Sequence, residues 1–242
     1  ISKASALTAL LNLIAGSVFI VCYWQKIKWR KLLIGLHAAL ILMLFFIYQQ
    51  GNSWLNQMSN LLYLDNVVYN EKTRYQQVTI TERHMGLSQA PIFNLYLNGR
   101  LQFSSADEHI YHSYLVTPAM AASARQDNIL IIGGGDGLAL RDVLKWSPKS
   151  VTLVDLDEQL ISLFQSPDKH LPTSLAHQVS QLNENSLLDE RVTLIFADAY
   201  IAVDNLIMNG HNFDTIIVDL PDPSHPDLNK LYSVTFYAKL KQ

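Results

Sequence analysis

Apolar and polar positions divide the chain into stretches of different periodicity. Two apolar runs without charged residues come first, at residues 4–24 and 32–48, and a short basic loop separates them. The runs approach the roughly 20 residues that a helix needs to cross a bilayer. Tyr23 and Trp24 lie at the end of the first run, where interfacial aromatic residues are expected. The pattern predicts a transmembrane helical hairpin over residues 1–50.

Two other structures would give the same pair of runs. One is a signal peptide followed by a core helix, and the other is a helical hairpin in the core of a soluble protein. The length of both runs and the basic connector favour a multi-pass protein of the cell membrane, with the lipid bilayer as a partner. The polar residues 51–66 are then a linker.

From Val67 the apolar positions alternate with period two, which is typical of half-buried strands. Two alternating segments flank Asn98-Gly99, a pair that tolerates positive φ angles and is a strong signal for a tight hairpin. Residues 67–106 are therefore predicted to form a small antiparallel β-domain.

Residues 107–123 have the pattern of a helix, and buried strands then alternate with helices from Asn128 to Asp222. This alternation is typical of βαβ units with a parallel sheet. We expect residues 107–242 to form a Rossmann-like α/β domain with helices on both faces of the sheet. The chain starts at Ile1 and stops directly after a helix, so both ends look cut.

Composition and charge exclude several classes of protein. The formal net charge is −3, which is unlike the basic footprint of a nucleic-acid-binding protein. Cys22 is the sole cysteine, so one chain can form neither a disulfide nor a zinc site built from cysteines. We interpret Cys22 as a buried packing residue.

A glycine-rich turn, Gly133-Gly134-Gly135-Asp136-Gly137, follows the first strand of the α/β segment directly. Glycines at this position allow a tight turn and close approach of the backbone to a ligand. Asp155 follows the next strand, where an acid can bind both ribose hydroxyls. The order of these features favours a nucleoside site, although a glycine turn that only packs a helix on the sheet would look similar.

Acids stand at the carboxyl ends of four successive strands, where open parallel sheets bind ligands. Each acid alone has the commoner explanation of a helix N-cap, but together they favour a cationic ligand. A metal is the rival explanation, and the histidine and carboxylate spacing does not support it. These acids are Asp136, Asp155, Asp198 and Asp219, with Asp222 close to the last of them.

The chain from about Val67 onward resembles the polyamine aminopropyltransferases, the spermidine synthase family, and the apolar hairpin resembles its membrane-anchored branch. The resemblance implies a fold like that of the class I methyltransferases, no cofactor and a possible homodimer. It also implies that the last strands of the sheet are absent from this chain. The stretches that carry it are Tyr75-Gln76, residues 97–102, Asp107-Glu108, Tyr111-His112, the glycine turn, Asp155 with Asp157, Asp198-Ala199 and residues 219–223.

The family transfers an aminopropyl group from decarboxylated S-adenosylmethionine to an amine, typically putrescine, which gives spermidine and methylthioadenosine. The resemblance implies that Asp219 is the general base. It implies donor nucleoside binding by Gln76, Gln102, Gly133, Gly135, Asp155, Asp198, Ala199 and Pro226. It implies contacts with amine groups for Tyr111, His112, Asp136 and Asp222.

Charge supports the implied donor, because Asp136 would repel the carboxylate of ordinary S-adenosylmethionine and attract the bare ammonium of the decarboxylated form. Leu220 and Pro221 depart from the small polar residues that the family often has here, which makes the acceptor slot less polar.

An S-adenosylmethionine-dependent methyltransferase and a non-catalytic polyamine-binding membrane protein are the alternatives. The positive-inside rule favours an external catalytic domain, whereas supply of the donor favours a cytoplasmic one, which we expect.

Overall fold

The computed structural model describes residues 3–26, 28–86, 90–223 and 226–242, and for residues 3–7, 50–60, 226 and 227 it describes the backbone alone. The chain divides into two compact units, Ile1–Leu64 and Asp65–Gln242.

The first unit consists of two helices, α1 (Lys3–Cys22) and α2 (Arg30–Asn60). They contact each other, and Ser17 Oγ on α1 lies 3.0 Å from His37 Nε2 on α2. Residues 51–60 continue α2 instead of forming the predicted linker, because they contain no proline to interrupt the helix. Cys22 is exposed and is not the buried packing residue that the sequence suggested.

The prediction of a transmembrane hairpin is wrong. Among the residues whose side chains are described, Arg30–Gln49 is the one helical segment with the length and hydropathy of a membrane span, and the described apolar segment of α1, Thr8–Cys22, is shorter. A helical crossing needs about 20 apolar residues. A single apolar helix near an N-terminus also occurs as a signal sequence or a core helix. The expected multi-pass membrane location is therefore wrong, and the expectation of a cytoplasmic side for the catalytic domain loses its premise. The bilayer partner and the membrane-anchored branch lack support.

The second unit begins with an antiparallel sheet in which neighbouring strands pair in chain order. A tight turn joins the last two strands, with Asn98 at φ 52° and Gly99 at φ 78°. Both angles lie in the left-handed region that a two-residue hairpin needs, which confirms the predicted hairpin. The strands are β1 (Asn66–Lys72), β2 (Gln77–Arg83), β3 (Ile92–Leu97) and β4 (Arg100–Ser104).

A parallel sheet with alternating helices follows, which confirms the predicted α/β fold. Its elements are α3 (Glu108–Ala122), β5 (Asn128–Gly133), α4 (Leu138–Leu144), β6 (Ser150–Asp155), α5 (Glu158–Gln165), α6 (Thr173–Leu182), β7 (Val192–Phe196), α7 (Ala199–Met208), β8 (Thr215–Asp219), α8 (Pro226–Asn229) and α9 (Val234–Leu240).

Both faces of the parallel sheet are covered, as its apolar strands require. Ile129 and Ile131 of β5 join a core that includes residues of the antiparallel sheet, α3 and α4. Leu130 and Ile132, which point to the opposite face, join a second core with residues of α7 and α9.

The strand order is β7-β6-β5-β8, so the chain moves outward from β5 and then returns to its other side. In open parallel sheets, ligands bind in the crevice where the strand order reverses. Here the reversal lies between β5 and β8, whose last residues, Gly133 and Asp219, pair with each other. The glycine turn and the acid that the resemblance implies as the base therefore meet at one point.

Candidate active site

A cavity of about 260 Å³ lies at this crevice. Its walls come from the glycine turn, the carboxyl ends of β6, β7 and β8, the antiparallel sheet and α3. The predicted site residues in its lining are Gln76, Gln102, Tyr111, His112, Gly133, Gly135, Asp136, Asp155, Asp198, Ala199 and Asp219.

The glycine turn allows two pairs of strands to approach closely. Gly133 has φ 83°, and a Cβ added there would lie 1.9 Å from the carbonyl oxygen of Asp219. A Cβ on Gly135 would lie 2.8 Å from Asp155 Oδ2. Gly133 is thus required for the approach of β5 to β8, in addition to any approach of the backbone to a ligand.

Asp155 lies at the end of β6 and is held by the backbone around it. Its Oδ2 accepts a hydrogen bond from the N–H of Gly135 at 3.1 Å, and its Oδ1 accepts one from the N–H of Asp157 at 2.8 Å. Burial raises the pKa of this carboxyl to about 6. Since each oxygen of a carboxylate has two lone pairs, both oxygens keep an acceptor site for a pair of hydroxyl groups.

Gln76 is oriented by an acid from the α/β domain. Its Nε2 donates to Asp157 Oδ2 at 2.9 Å, and Thr73 Oγ1 donates to the same oxygen at 2.7 Å. Asp157 also caps α5 by accepting from the N–H of Leu160. No pattern in the sequence indicates a role for Thr73, whereas Asp157 belongs to one of the stretches that carry the family resemblance. These contacts fix Gln76 at the wall of the cavity.

Asp198 has two hydrogen-bonding partners, which make it a weaker ligand for a cation. Its side chain caps α7 by accepting from the N–H of Tyr200, and Lys230 Nζ lies 2.5 Å from its Oδ2. Lys230 also lines the cavity and was missed in the sequence, because it lies 32 residues from the acid it pairs with. A cationic ligand would therefore be bound mainly by the other predicted acids in the lining, Asp136, Asp155 and Asp219.

Asp136, Asp219 and His112 form a compact cluster, with one ligand atom from each residue lying within 4.8 Å of the others. Burial raises the pKa of Asp136. Burial and the charge of Asp136 raise the pKa of Asp219 to about 6. The two acids are thus destabilised as carboxylates in the free protein, and a bound cation, whether an ammonium group or a metal, would relieve this. That no metal is used stays a prediction.

His112 is a buried residue of the cluster on α3. Burial lowers the pKa of its imidazole, but hydrogen bonding to Glu108 and the charges of Asp136 and Asp219 raise it by more, so the net shift is upward. Tyr111, the neighbouring residue, donates its hydroxyl hydrogen to Asp219 Oδ1 at 2.9 Å. This hydrogen bond fixes one oxygen of Asp219 and leaves the other for a ligand.

Three of the predicted site residues differ from the others in their contacts or in their position relative to the cavity. Gln102 lines the cavity, but its amide donates to the carbonyl oxygen of Arg100 at 3.2 Å. Asp222 is exposed and is outside the lining of the cavity among the described residues. The side chain of Pro226 lies outside those that the structure describes.

Comparisons with known proteins agree with this geometry. A model of the spermine/spermidine synthase domain matches residues 108–242. A polyamine aminopropyltransferase of Shewanella oneidensis is 56% identical over 242 residues, which are 100% of this chain and 42% of that protein. One of Oceanobacillus iheyensis is 35% identical over 244 residues, covering 99% of this chain and 43% of that protein. The chain spans less than half the length of these relatives.

Two solved structures are similar to this chain. A spermidine synthase in complex with the transition state analogue AdoDATO has a TM-score of 0.60 and 25% identity, covering 73% of this chain and 54% of that one. The spermidine synthase of Thermotoga maritima has a TM-score of 0.56 and 24% identity, covering 73% of this chain and 52% of that one, and this likeness concerns the fold.

Proposed function

Because the chain belongs to the spermine/spermidine synthase family, we propose that it transfers an aminopropyl group from decarboxylated S-adenosylmethionine to a diamine. Putrescine is the expected acceptor, and spermidine and methylthioadenosine are the products. A homodimer is part of the same proposal.

The observation that carries the proposal is the cluster of Asp136, Asp219 and His112 at the end of a nucleoside-sized cavity. A primary ammonium has three N–H donors. Acceptors about 2.9 Å from a tetrahedral nitrogen lie roughly 4.7 Å from one another. The ligand atoms of the cluster lie within 4.8 Å of one another, so they are close enough to share one ammonium group. The cluster therefore suits the bare ammonium group of the decarboxylated donor.

The rest of the donor fits the wall between β6 and β7. Asp155 binds the ribose hydroxyls, since both of its oxygens keep an acceptor site. Gln76, Asp198 and Ala199 bind the nucleoside, and Gln102 contacts the sulfonium side. Gly133 and Gly135 keep this wall close to the ligand. Pro226 packs near the adenine.

Asp219 acts as the general base on the acceptor amine. Putrescine is a dication near neutral pH, because a primary ammonium resembles lysine, with a pKa of about 10.4. A carboxylate within hydrogen-bond reach takes one proton from the attacking ammonium. The nitrogen lone pair then forms a bond to the carbon next to sulfur, and the electrons of the broken C–S bond stay on sulfur. Tyr111 orients Asp219, and Asp222 contacts the far amine.

The test is an assay of the full-length protein with decarboxylated S-adenosylmethionine and a panel of diamines, with methylthioadenosine as the readout. We expect methylthioadenosine and spermidine in equal amounts when putrescine is the acceptor. Methyl transfer from ordinary S-adenosylmethionine, or tighter calorimetric binding of that carboxylated form, would contradict the proposal and favour a methyltransferase.

A further inference from the structure

Behind His112 lies a buried chain of charged groups that the proposed reaction does not use. Both Glu108 Oε2 and the backbone carbonyl oxygen of Glu108 lie 2.8 Å from His112 Nδ1. Arg141 of α4 binds both oxygens of Glu108, with NH1 2.8 Å from Oε1 and NH2 3.2 Å from Oε2. The exposed fractions of Glu108, His112 and Arg141 are 5%, 2% and 7%. Such a buried pair is costly to form, so its position directly behind a site residue calls for a function.

Arg141 decides the orientation of Glu108. Its NH1 group also donates to the carbonyl oxygen of Leu182 at 2.8 Å, and its Nε donates to Asp142 Oδ1 at 2.9 Å. The guanidinium is thus fixed at several points and presents a rigid pair of donors to the carboxylate. The carboxylate of Glu108 is therefore held in the orientation in which it accepts a hydrogen bond from the imidazole of His112.

The hydrogen bond at Nδ1 decides which nitrogen of His112 faces the cavity as an acceptor. Glu108 is a carboxylate with a pKa lowered by its hydrogen bonds to His112 and Arg141, which outweigh the effect of burial. An ionised carboxylate accepts only, so Nδ1 must carry a hydrogen. In the neutral imidazole, the lone pair is then on Nε2, for which the described residues provide no hydrogen bond.

We propose that Glu108 and Arg141 are positioning residues that fix the neutral His112 as the Nδ1–H tautomer, so that Nε2 accepts one N–H of the donor's primary ammonium. The inference rests on the proposed function and deepens it. The other two N–H groups go to Asp136 and to one lone pair of the second oxygen of Asp219, whose other lone pair stays available to the acceptor amine.

The charges around the imidazole are compatible with this state. Glu108 and Tyr111 face it from its own helix, Asp136 from the glycine turn and Asp219 from β8, with Arg141 behind Glu108. In the free protein these carboxylates favour the protonated imidazole. An ammonium bound to Asp136 and Asp219 cancels most of their charge, so a proton on Nε2 is lost as the donor binds.

The variant that tests the proposal is Glu108→Gln. Arg141 attracts the amide oxygen of the new side chain, which turns the NH₂ group towards Nδ1. That NH₂ group competes with the backbone carbonyl oxygen of residue 108, which lies 2.8 Å from Nδ1, and shifts the equilibrium towards the opposite tautomer, whose Nε2–H repels an ammonium group. At about pH 8, we expect affinity for decarboxylated S-adenosylmethionine to fall roughly tenfold or more, the size expected for a hydrogen bond to a charged group. Affinity for methylthioadenosine, which has no ammonium group, should be unchanged.

A merely structural role would weaken the binding of both nucleosides equally, and that result would overturn the proposal. Asp189→Asn is the matched control, because Asp189 binds Arg191 through both of its oxygens and neither residue lines the cavity. It should leave the ratio of the two affinities unchanged. His112→Phe, which removes the acceptor, should lower that ratio as much as Glu108→Gln does, and the double variant should lower it no further. Additive losses would contradict a shared path through His112.

Nitrogen-15 NMR of the full-length wild-type protein tests the tautomer without any variant, so the proposal stays testable if Glu108→Gln does not fold. We expect His112, identified by the signal that His112→Gln removes, to carry its hydrogen on Nδ1 when neutral. A neutral Nε2–H tautomer would overturn the proposal. Wild-type protein that shows the Nδ1–H tautomer but binds no decarboxylated donor would overturn the proposed function instead.

Discussion

At the scale of single residues, the acids at the strand ends differ in the partners that the fold gives them. Asp198 is paired with Lys230 and caps α7, and Asp155 accepts from two backbone N–H groups. Asp136 and Asp219 lie close together with raised pKa values. A bound cation therefore gains most from the last two, although the sequence presents all four acids in the same way.

Asp219→Asn should separate catalysis from binding. The amide is similar in shape to the carboxylate but takes no proton, so we expect kcat to fall by roughly 10²- to 10⁴-fold, the usual contribution of a general base. Calorimetric binding of methylthioadenosine should stay close to that of the wild type. Asp204→Asn on α7, which removes an ion pair with Lys239 outside the cavity, is the control. Spermidine formation by Asp219→Asn at the wild-type rate would show that another group is the base.

Asp136→Asn should reduce the selection of the decarboxylated donor. It removes the charge that attracts the ammonium and repels the carboxylate of ordinary S-adenosylmethionine. We expect the ratio of the two dissociation constants to fall by roughly tenfold or more, since a hydrogen bond to a charged group contributes about 1.5–3 kcal/mol. Competition calorimetry with both nucleosides measures this ratio. An unchanged ratio would mean that Asp136 does not contact the ammonium.

At the scale of elements, the close approach of β5 and β8 places Asp219, the proposed base, beside the glycine turn. Gly133 and Asp219 are paired residues of neighbouring strands. The approach depends on a missing side chain, because a Cβ on Gly133 would lie 1.9 Å from a backbone oxygen. Backbone atoms move less readily than the end of a side chain, so a substitution here disturbs the sheet itself.

Gly133→Ala should therefore destabilise the protein by several kcal/mol, beyond the roughly 1–2 kcal/mol cost of the left-handed conformation. Gly210→Ala is a matched control: Gly210 has φ 72° and nothing within 4 Å of an added Cβ, whereas Gly133 has φ 83° and a clash. Thermal and urea unfolding of both variants give the comparison. Equal losses of stability would mean that the approach of β5 to β8 is not the reason for the glycine.

A contact between the segment before β2 and the start of α5 also arises at the scale of elements. Thr73 and Gln76, which precede β2, both donate to Asp157 at the start of α5. Period-two alternation identifies β2 in the sequence, but it contains no information on the helix that the strand meets. The role of Asp157 as a shared acceptor therefore becomes visible only in the fold.

At the scale of the whole molecule, raised pKa values link stability to pH. Asp219 has a pKa of about 6 in the folded protein and about 3.9 when unfolded. Between these values the folded state binds more protons, so this group costs stability as pH rises towards 6. Catalytic activity should instead rise as pH rises towards 6, because Asp219, the proposed base, must be ionised.

Asp219→Asn should accordingly be more stable than the wild type at about pH 7.5, by on the order of 1–3 kcal/mol. The difference should shrink as pH falls through 6 and be largely gone near pH 4. Wild-type kcat/KM should decline below about pH 6. Urea unfolding and steady-state rates across this range test both statements. A stability difference that does not change with pH would show that Asp219 titrates normally.

The sequence by itself determined the features that depend on local geometry. Period-two alternation, the left-handed Asn98-Gly99 turn and the alternation of strands and helices depend on residues a few positions apart, and the structure confirms them. The acids at the strand ends were also predictable, because the carboxyl ends of parallel strands share one edge. The hydropathy pattern predicted the transmembrane hairpin wrongly, because it detects apolar runs without showing whether they span a membrane. Among the described helices, one segment has the length and hydropathy of a span.

The tertiary structure alone decided which charges meet. Lys230 pairs with Asp198, Arg141 with Glu108, and Asp157 with Gln76. Each pair joins residues that lie far apart in the chain, so no local pattern reveals it. The free energy of a charged group depends on its partners and on its burial, and both exist only once the chain has folded. For this reason the sequence identified the acids of the site, and the fold determined which of them are available to a cationic ligand.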